Sequence, residues 1–321
     1  MSASTRAEAT TAISQLQSGG GTAIGTWLDL AGQLFTSVPE VTQRHAILLT
    51  DGENNEPRAV LTAAIGRASG LFQCDCRGVG VEWKVSEIRR IAEALLGSVD
   101  IIPNPSEMAA QFQAMMRAAM SRGVSDAQLR VWAPQGAQVQ FVRQVSPTVE
   151  DLTTRRTTVN DLTGDYPTGA WSDESRDYHV SVRLPARAVG QEQLAARVQL
   201  VINGQAAAQG LVKAKWSNDS ELTTRIDQHV AHYTGQAELA QVIQEGLAAK
   251  AAGDEATATT KLGRAVALAA ETGNHEATEK LKKVVDISNE KDGTVRLKKS
   301  VEKADEMALD TASTKTTRVK R

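Results

Sequence analysis

Two short stretches of the sequence carry side-chain oxygens in a pattern that could hold a metal ion. The first, "SGGGTAIGT" (residues 18–26), places Thr22 directly after three glycines. The second, "HAILLTDGENNE" (residues 45–56), places Asp51 directly after an apolar run. A hydroxyl and a carboxylate are hard oxygen ligands of the kind that Mg²⁺ prefers. Thr22 and Asp51 are therefore the candidate metal ligands, provided that the fold brings the two stretches together.

A glycine-rich turn can also hold a phosphate, and the residues of the first stretch argue against this alternative. Gly20 and Gly25 have the glycine spacing of a phosphate-binding loop, but Thr26 stands where that loop needs a lysine. A dinucleotide-binding loop would need a glycine at position 24, which is Ile24. The segment before the glycines also has a helical pattern, whereas both loops follow a strand. The metal interpretation is therefore favoured.

The elements around these residues alternate between strand and helix patterns. The apolar runs "HAILLT", "LFQCDCRGVGV" and "SVDIIP" are typical of buried strands, and helical patterns separate them. This alternation predicts a parallel sheet with right-handed crossovers. Ligands of such sheets bind at the carboxyl ends of the strands, and Asp51 directly follows a strand.

The rest of the chain changes character twice. Four parts are predicted: residues 1–122 as α/β, 123–217 as an all-β sandwich from their period-two alternation, 218–292 as a helical bundle, and 293–321 as a basic, threonine-rich tail. Within the bundle, one helical hairpin resembles a tetratricopeptide-type unit. The predicted fold class is thus a Rossmann-like parallel sheet with flanking helices, followed by a β-sandwich and an α-helical C-terminal bundle.

The order "GGGTAIGT" then "HAILLTDG" resembles the von Willebrand factor type A family, and the later segments resemble its bacterial, actinobacterial members with a β-sandwich and a helical C-terminal region. The resemblance implies a parallel sheet that carries a metal-ion-dependent adhesion site. That site combines an Asp-x-Ser-x-Ser turn, a threonine in a glycine-rich loop and an aspartate after a later strand. Thr22 matches the threonine, and Asp51 matches the aspartate.

One part of the family pattern is missing, because no Asp-x-Ser-x-Ser turn precedes Thr22. We interpret the chain as an amino-terminally truncated member that lacks the first half of the domain. The "HAILLT" strand is then expected to form an apolar edge, which invites pairing with other chains. Mg²⁺, or Ca²⁺ or Mn²⁺ in its place, is expected to bind weakly or not at all.

The resemblance also implies a protein partner that offers an acidic side chain to the metal. The residues expected to contact this partner are Gly21, Gly52, Glu53, Asn54 and Trp83. Two simpler interpretations stay open at this point. Thr22 could be only the N-cap of a helix, and Asp51 with Gly52 could be only a turn after a strand.

The C-terminal stretch "STKTTRVKR" suggests a second kind of partner. Its threonines Thr314 and Thr316 lie beside basic residues and could accept phosphate, which a phosphothreonine-reading partner would bind. The resemblance likewise implies a scaffold linked to intracellular signalling. The alternative is a solvated, frayed or strand-forming terminus.

Composition excludes several other classes of protein. The net charge of −2 and a pI of about 6.3 argue against a nucleic-acid partner. No run of 18 apolar residues and no signal-peptide pattern occurs, and the two cysteines are expected to be buried thiols, so a cytoplasmic protein is predicted. No catalytic motif is found, so we predict a non-catalytic interaction protein. The alternatives are a metal-assisted hydrolase and a truncated gene product without independent function.

Overall fold

The computed structural model describes residues 2–17 and 19–319, and it begins with alternating helices and strands. In chain order these are α1 (Ala3–Ser14), α2 (Ile24–Thr36), β1 (His45–Thr50), α3 (Arg58–Ala68), β2 (Gln73–Val79), α4 (Val85–Ala94), β3 (Val99–Ile102) and α5 (Met108–Met120). The three strands form a parallel sheet in the order β1-β2-β3, with β1 at one edge. The predicted α/β fold is confirmed.

One face of this sheet carries the core of the α/β part. Cys74 and Cys76 of β2 point to this face, and both are fully buried against apolar residues of α2, α3 and α4. Their sulfur atoms lie 3.9 Å apart as free thiols. Ile24 and Leu28 of α2 enter the same core, so the helix that follows the glycine-rich stretch is fixed on the sheet.

The opposite face of β2 carries a buried carboxylate, Asp75. Its Oδ1 accepts hydrogen bonds of 2.7 Å from both the backbone N–H and the hydroxyl of Ser98. Its Oδ2 lies 2.7 Å from His45 Nε2 and 3.1 Å from Arg122 Nη2. Burial opposes the charged form of Asp75, but the partners outweigh it and hold its pKa well below the ordinary value. This cluster joins β1, β2 and the residues after α5.

Antiparallel strands form the second part of the chain. They are β4 (Ala127–Trp132), β5 (Gln138–Ser146), β6 (Glu150–Asp151), β7 (Thr157–Asn160), β8 (Thr163–Pro167), β9 (Asp177–Arg183), β10 (Glu192–Ile202) and β11 (Gln205–Lys215). One sheet has the order β11-β10-β4-β8-β7 and the other the order β6-β5-β9. Apolar side chains from both sheets, such as Leu129 and Val142, share one core, as in the predicted sandwich.

Two of these strands lack the period-two alternation that predicts the others. The sequence "TGDYP", which has the composition of a turn, forms β8, because Tyr166 is buried in the core between the sheets and the backbone pairs with β4 and β7. The stretch from Gln205 forms β11, which is almost entirely exposed and lacks apolar alternation. Backbone pairing with β10, rather than a buried face, makes β11 a strand.

The third part is mainly helical. Its elements are α6 (Ser220–Thr224), α7 (Gln228–Ala251), α8 (Glu255–Thr272), α9 (His275–Val284), β12 (Val285–Asn289), β13 (Thr294–Leu297) and α10 (Lys303–Ala312). Helices α7 and α8 pack closely where Gly246 meets Leu262, since a Cβ at Gly246 would lie 2.8 Å from Leu262 Cγ. Among the described residues, no helix is long and apolar enough to cross a membrane.

The predicted boundary at residue 292 and the tail after it differ from the structure. The hairpin of β12 and β13 spans this boundary, and Val295 and Leu297 pack on the helical core. Helix α10 follows and buries Leu309 in the same core. Most of the expected tail is therefore an integral part of the helical region. Lys320 and Arg321, its last two residues, lie outside the described part of the chain.

Candidate functional site

The loop after β1 (residues 51–56) forms the centre of the candidate site. Strand β1 ends at Thr50, whose hydroxyl donates a 2.9 Å hydrogen bond to the carbonyl oxygen of Gly52 and shapes the turn. Asp51 lies at the carboxyl end of the strand, as predicted. Its side chain is exposed and makes no hydrogen bond or ion pair with the other residues that the structure describes. It is therefore available to a ligand.

The far end of this loop caps helix α2. Glu56 accepts hydrogen bonds from the backbone N–H groups of Gly25 (2.5 Å) and Thr26 (3.2 Å), and from the Thr26 hydroxyl (2.6 Å). Asn54 Oδ1 accepts another from the N–H of Ile24 (3.1 Å). The first N–H groups of a helix lack partners within the helix, and a negative charge at this end is favourable. The loop and the start of α2 thus form one unit.

Thr22 is held against the same loop by its backbone. Its N–H donates to Asn55 Oδ1 (2.6 Å), and its carbonyl oxygen accepts from the Asn55 N–H (2.7 Å). A side chain at Gly21 would displace Asn55, because a Cβ would lie 2.5 Å from Asn55 Oδ1. The Thr22 hydroxyl faces Gly52, where an added Cβ would lie only 2.9 Å away. The structure therefore brings Thr22 next to the turn that carries Asp51.

The simpler interpretation of Thr22 as a helix N-cap is wrong. Helix α2 begins at Ile24, its N-cap residue is Ala23, and no side chain of that residue caps it. The capping oxygens come from Asn54 and Glu56, about 30 residues further along the chain. The hydroxyl of Thr22 is consequently not used for this purpose.

The other carboxylates of the loop have partners. Glu53 Oε2 lies 2.6 Å from Lys84 Nζ at the start of α4, and this contact raises the pKa of Lys84. Glu56 is bound to the start of α2, so Asp51 is the loop carboxylate that remains available. Within the described residues, no group of three or more His, Cys, Asp or Glu side chains is placed to hold a metal ion.

Trp83 does not face a partner, and its expected role is corrected. The residue is 3% exposed and belongs to the core of the α/β part. Its ring lies on Gly78 of β2, where a Cβ would come within 1.8 Å of Trp83 Cε2, and its Nε1 donates to the carbonyl oxygen of Gly80 (3.0 Å). Trp83 therefore anchors the loop before α4 to the core. Glu53 and Asn54, in contrast, lie on the loop beside Asp51.

The two candidate phosphate acceptors lie in an extended segment that packs on the sandwich. The Thr314 carbonyl oxygen accepts a 2.8 Å hydrogen bond from the Val149 N–H, and the Thr316 hydroxyl donates to the Val145 carbonyl oxygen (2.8 Å). Both residues are partly buried. Residues 313–319 are not frayed: Lys315 forms an antiparallel bridge with Thr148, which agrees with the strand-forming alternative.

Comparisons with known proteins identify the family. A model described as the von Willebrand factor type A C-terminal domain matches residues 267–313. A solved structure described as von Willebrand factor type A from Catenulispora acidiphila is 47% identical to this chain, with a TM-score of 0.93. The matched region includes 99% of this chain and 76% of the solved chain. The chain belongs to the von Willebrand factor type A family. The resemblance drawn from the two motifs is thereby confirmed.

Two further proteins are more distant from this von Willebrand factor type A chain. The uncharacterized protein sll0103 of Synechocystis sp. is 34% identical over 147 residues, which cover 44% of this chain and 35% of that protein. The chain thus spans about a third of this curated relative. The human COPII-coat protein Sec24c is 9% identical to this chain, with a TM-score of 0.53. The matched region includes 92% of this chain and 43% of the Sec24c chain, and at this low identity the likeness shows the fold alone. Domains of the type A family generally serve protein interactions.

Proposed function

We propose that the chain is a non-catalytic scaffold that binds a protein partner through Thr22 and the loop of residues 51–56. The observation that carries this proposal is the attachment of the loop to α2 through Asn54, Asn55 and Glu56, which leaves Asp51 exposed. A surface that is already ordered loses less conformational entropy on binding. A carboxylate presented on such a fixed loop is suited to contact with a partner.

A divalent cation is the proposed bridge between the loop and the partner. Thr22 and Asp51 offer a hydroxyl and a carboxylate, but the side-chain oxygens of Asn54, Asn55 and Glu56 already accept backbone hydrogen bonds. Mg²⁺ prefers six oxygen ligands in octahedral geometry. The residues described here do not fit such an ion by themselves. We therefore propose weak binding of Mg²⁺, or of Ca²⁺ or Mn²⁺, that an acidic side chain of the partner would strengthen.

We also propose a cytoplasmic location and a link to intracellular signalling. The location is supported by the free thiols of Cys74 and Cys76, since compartments with oxidising conditions favour disulfides. The link to signalling is supported by Thr314 and Thr316, which a phosphothreonine-reading partner could recognise once modified. The Thr316 hydroxyl is engaged with Val145, so its modification requires prior release of the C-terminal segment.

The test compares partner capture by matched variants. The wild-type chain, Thr22→Ala, Asp51→Ala and Asp29→Ala are each used as bait with Mg²⁺ or with EDTA, and captured proteins are quantified by mass spectrometry. Asp29 is the control, because it is an α2 carboxylate that pairs with Arg67 instead of facing the loop. The same proteins should be lost with Thr22→Ala and Asp51→Ala and retained with Asp29→Ala. Equal capture by all four chains would contradict the proposal.

A further inference from the structure

The C-terminal segment (residues 313–319) lies in a surface that all three parts of the chain build. We call this the receiving surface; it consists of residues 145–149, Asp177, Gln236, Asn274, Asp100 and Glu276. Ser313 is 4% exposed and anchors the segment directly after α10. Beyond Ser313 the chain is extended and runs past the edge of the sandwich toward α7. No element of the proposed partner site contributes to these contacts.

The receiving surface binds the backbone of the segment as a neighbouring strand would. Lys315 forms an antiparallel bridge with Thr148, and the Thr316 N–H donates to the Pro147 carbonyl oxygen (2.9 Å). Gln236 continues this pattern with its side chain: Oε1 accepts from the Thr317 N–H (2.7 Å), and Nε2 donates to the Thr317 carbonyl oxygen (2.5 Å). Strand addition of this kind binds a peptide backbone whatever its side chains.

Side chains of the segment are recognised separately. Lys315 Nζ lies 2.8 Å from Asp100 Oδ2 and 3.8 Å from Glu276 Oε1. Arg318 makes two hydrogen bonds of 3.0 Å to the carboxylate of Asp177, which is the bidentate geometry that favours arginine over lysine. An acidic side chain therefore faces each cation of the sequence Lys-Thr-Thr-Arg.

The orientation of Asp177 is fixed independently of the segment's own charges. Tyr233 of α7 donates a 2.5 Å hydrogen bond to Asp177 Oδ2, and Tyr233 is buried between the sandwich and the helical part. Gln236 also has a partner outside the segment, since its Oε1 accepts from Asn274 Nδ2 (3.3 Å). The surface is thus formed by residues that other contacts already hold in place.

The contacts made by the segment are nevertheless open to exchange. The side chains of Lys315 and Arg318 are 38% and 41% exposed, and exposed ion pairs contribute little to stability. After the buried Ser313, each contact that holds the segment could be made equally well by a separate peptide of the same pattern. A tethered segment would compete with that peptide at an effective concentration on the order of millimolar.

We propose that the receiving surface is a recognition site for an extended basic peptide of a partner protein, with the pattern Lys-Thr-Thr-Arg, and that the chain's own C-terminal segment occupies it as a competitor. The seated segment shows which sequence fits, and the acidic residues opposite Lys315 and Arg318 specify the charge of the partner peptide. The receiving surface lies apart from the loop of residues 51–56. It binds a basic peptide, whereas the proposed partner of that loop offers an acidic side chain.

The test uses the full chain with a weakened segment. Lys315→Ala and Arg318→Ala are combined in one variant, and a fluorescent peptide with the sequence of residues 313–319 is titrated in an anisotropy assay. Because the apparent Kd scales inversely with the fraction of open sites, and two exposed ion pairs that hold the segment are removed, the variant should bind the peptide about three- to tenfold more tightly than the wild-type chain does. A peptide with glutamate in place of its lysine and arginine keeps the backbone contacts but faces Asp100, Glu276 and Asp177 with like charges, so it should bind the double variant more weakly.

A third chain localises the binding. Asp177→Asn is added to the double variant, which removes the carboxylate opposite the peptide's arginine while the amide stays similar in size. Peptide affinity should fall back by about two- to fivefold, as expected for the loss of one exposed ion pair, and the melting temperature of each chain reports that it is folded. Equal peptide affinity of the wild-type chain and the double variant, equal binding of the charge-reversed peptide, or no effect of Asp177→Asn would each overturn the proposal.

Discussion

The capping of α2 by Glu56 leads to the most direct test of how the candidate site is held together. Glu56→Ala removes the acceptor of three hydrogen bonds, from the N–H groups of Gly25 and Thr26 and from the Thr26 hydroxyl. Loss of a helix N-cap side chain costs about 1 kcal/mol. Loss of a negative charge at this end adds ~0.3–1 kcal/mol. We therefore expect the variant to destabilise the start of α2 by about 1–2 kcal/mol.

Glu56→Gln is the matched control. Glutamine keeps one oxygen that can accept from the N–H of Gly25, but it loses the second acceptor, which binds Thr26, together with the charge contribution of ~0.3–1 kcal/mol. The difference between the two variants thus isolates the hydrogen bond to Gly25. Because Asn55 and Thr22 are held by the same loop, Glu56→Ala should also weaken partner capture, and Glu56→Gln should weaken it less.

Hydrogen exchange of the amides of Gly25 and Thr26 is the appropriate assay, since it reports this end of α2 rather than the whole chain. A loss of 1.4 kcal/mol corresponds to about tenfold faster exchange. The amides of α8, which has no contact with this loop, serve as the internal reference. Unchanged exchange of Gly25 and Thr26 in Glu56→Ala, or equal acceleration of the Gly25 amide in both variants, would refute the assigned capping role.

Three further predictions concern the core and the metal. Asp75→Asn should destabilise the chain by ~3–5 kcal/mol in urea unfolding, because a buried charged cluster loses its acceptor. The lowered pKa of Asp75 stabilises the fold above the ordinary aspartate pKa of about 3.9 and this contribution is lost as pH falls, so the variant should lose part of its acid sensitivity. Gly78→Ala should destabilise by at least ~1–3 kcal/mol in the same assay through its clash with Trp83, whereas Gly66→Ala, in open space on α3, should not destabilise. If Mg²⁺ binds weakly, with a Kd on the order of 10 mM, 1 mM Mg²⁺ stabilises the folded chain by only ~0.06 kcal/mol, so the melting temperature should not shift measurably. A clear upward shift would contradict weak binding.

The sequence was sufficient to predict that Thr22 lies beside the turn of Asp51 and Gly52, because both stretches stand in motifs whose order is typical of the family. It was not sufficient to predict how they are held. Glu56 gives no local signal of capping, since its partners in α2 precede it by about 30 residues. Trp83 misled for a related reason: a loop tryptophan is expected to be exposed, yet the missing side chain of Gly78 opens the space that buries its ring.

The same limitation explains why the C-terminal segment was expected to be an ordinary tail. Its composition, rich in threonine and basic residues, is typical of solvated termini, and none of its apolar residues forms a stripe. What orders it is complementarity to distant residues: Asp100 of β3, Asp177 of β9 and Gln236 of α7. A hydroxyl group that the sequence suggests is accessible can then be hydrogen-bonded within the fold, as the Thr316 hydroxyl is to the Val145 carbonyl oxygen. A kinase could therefore reach Thr316 only after the segment is released, and a peptide that displaces the segment would expose it.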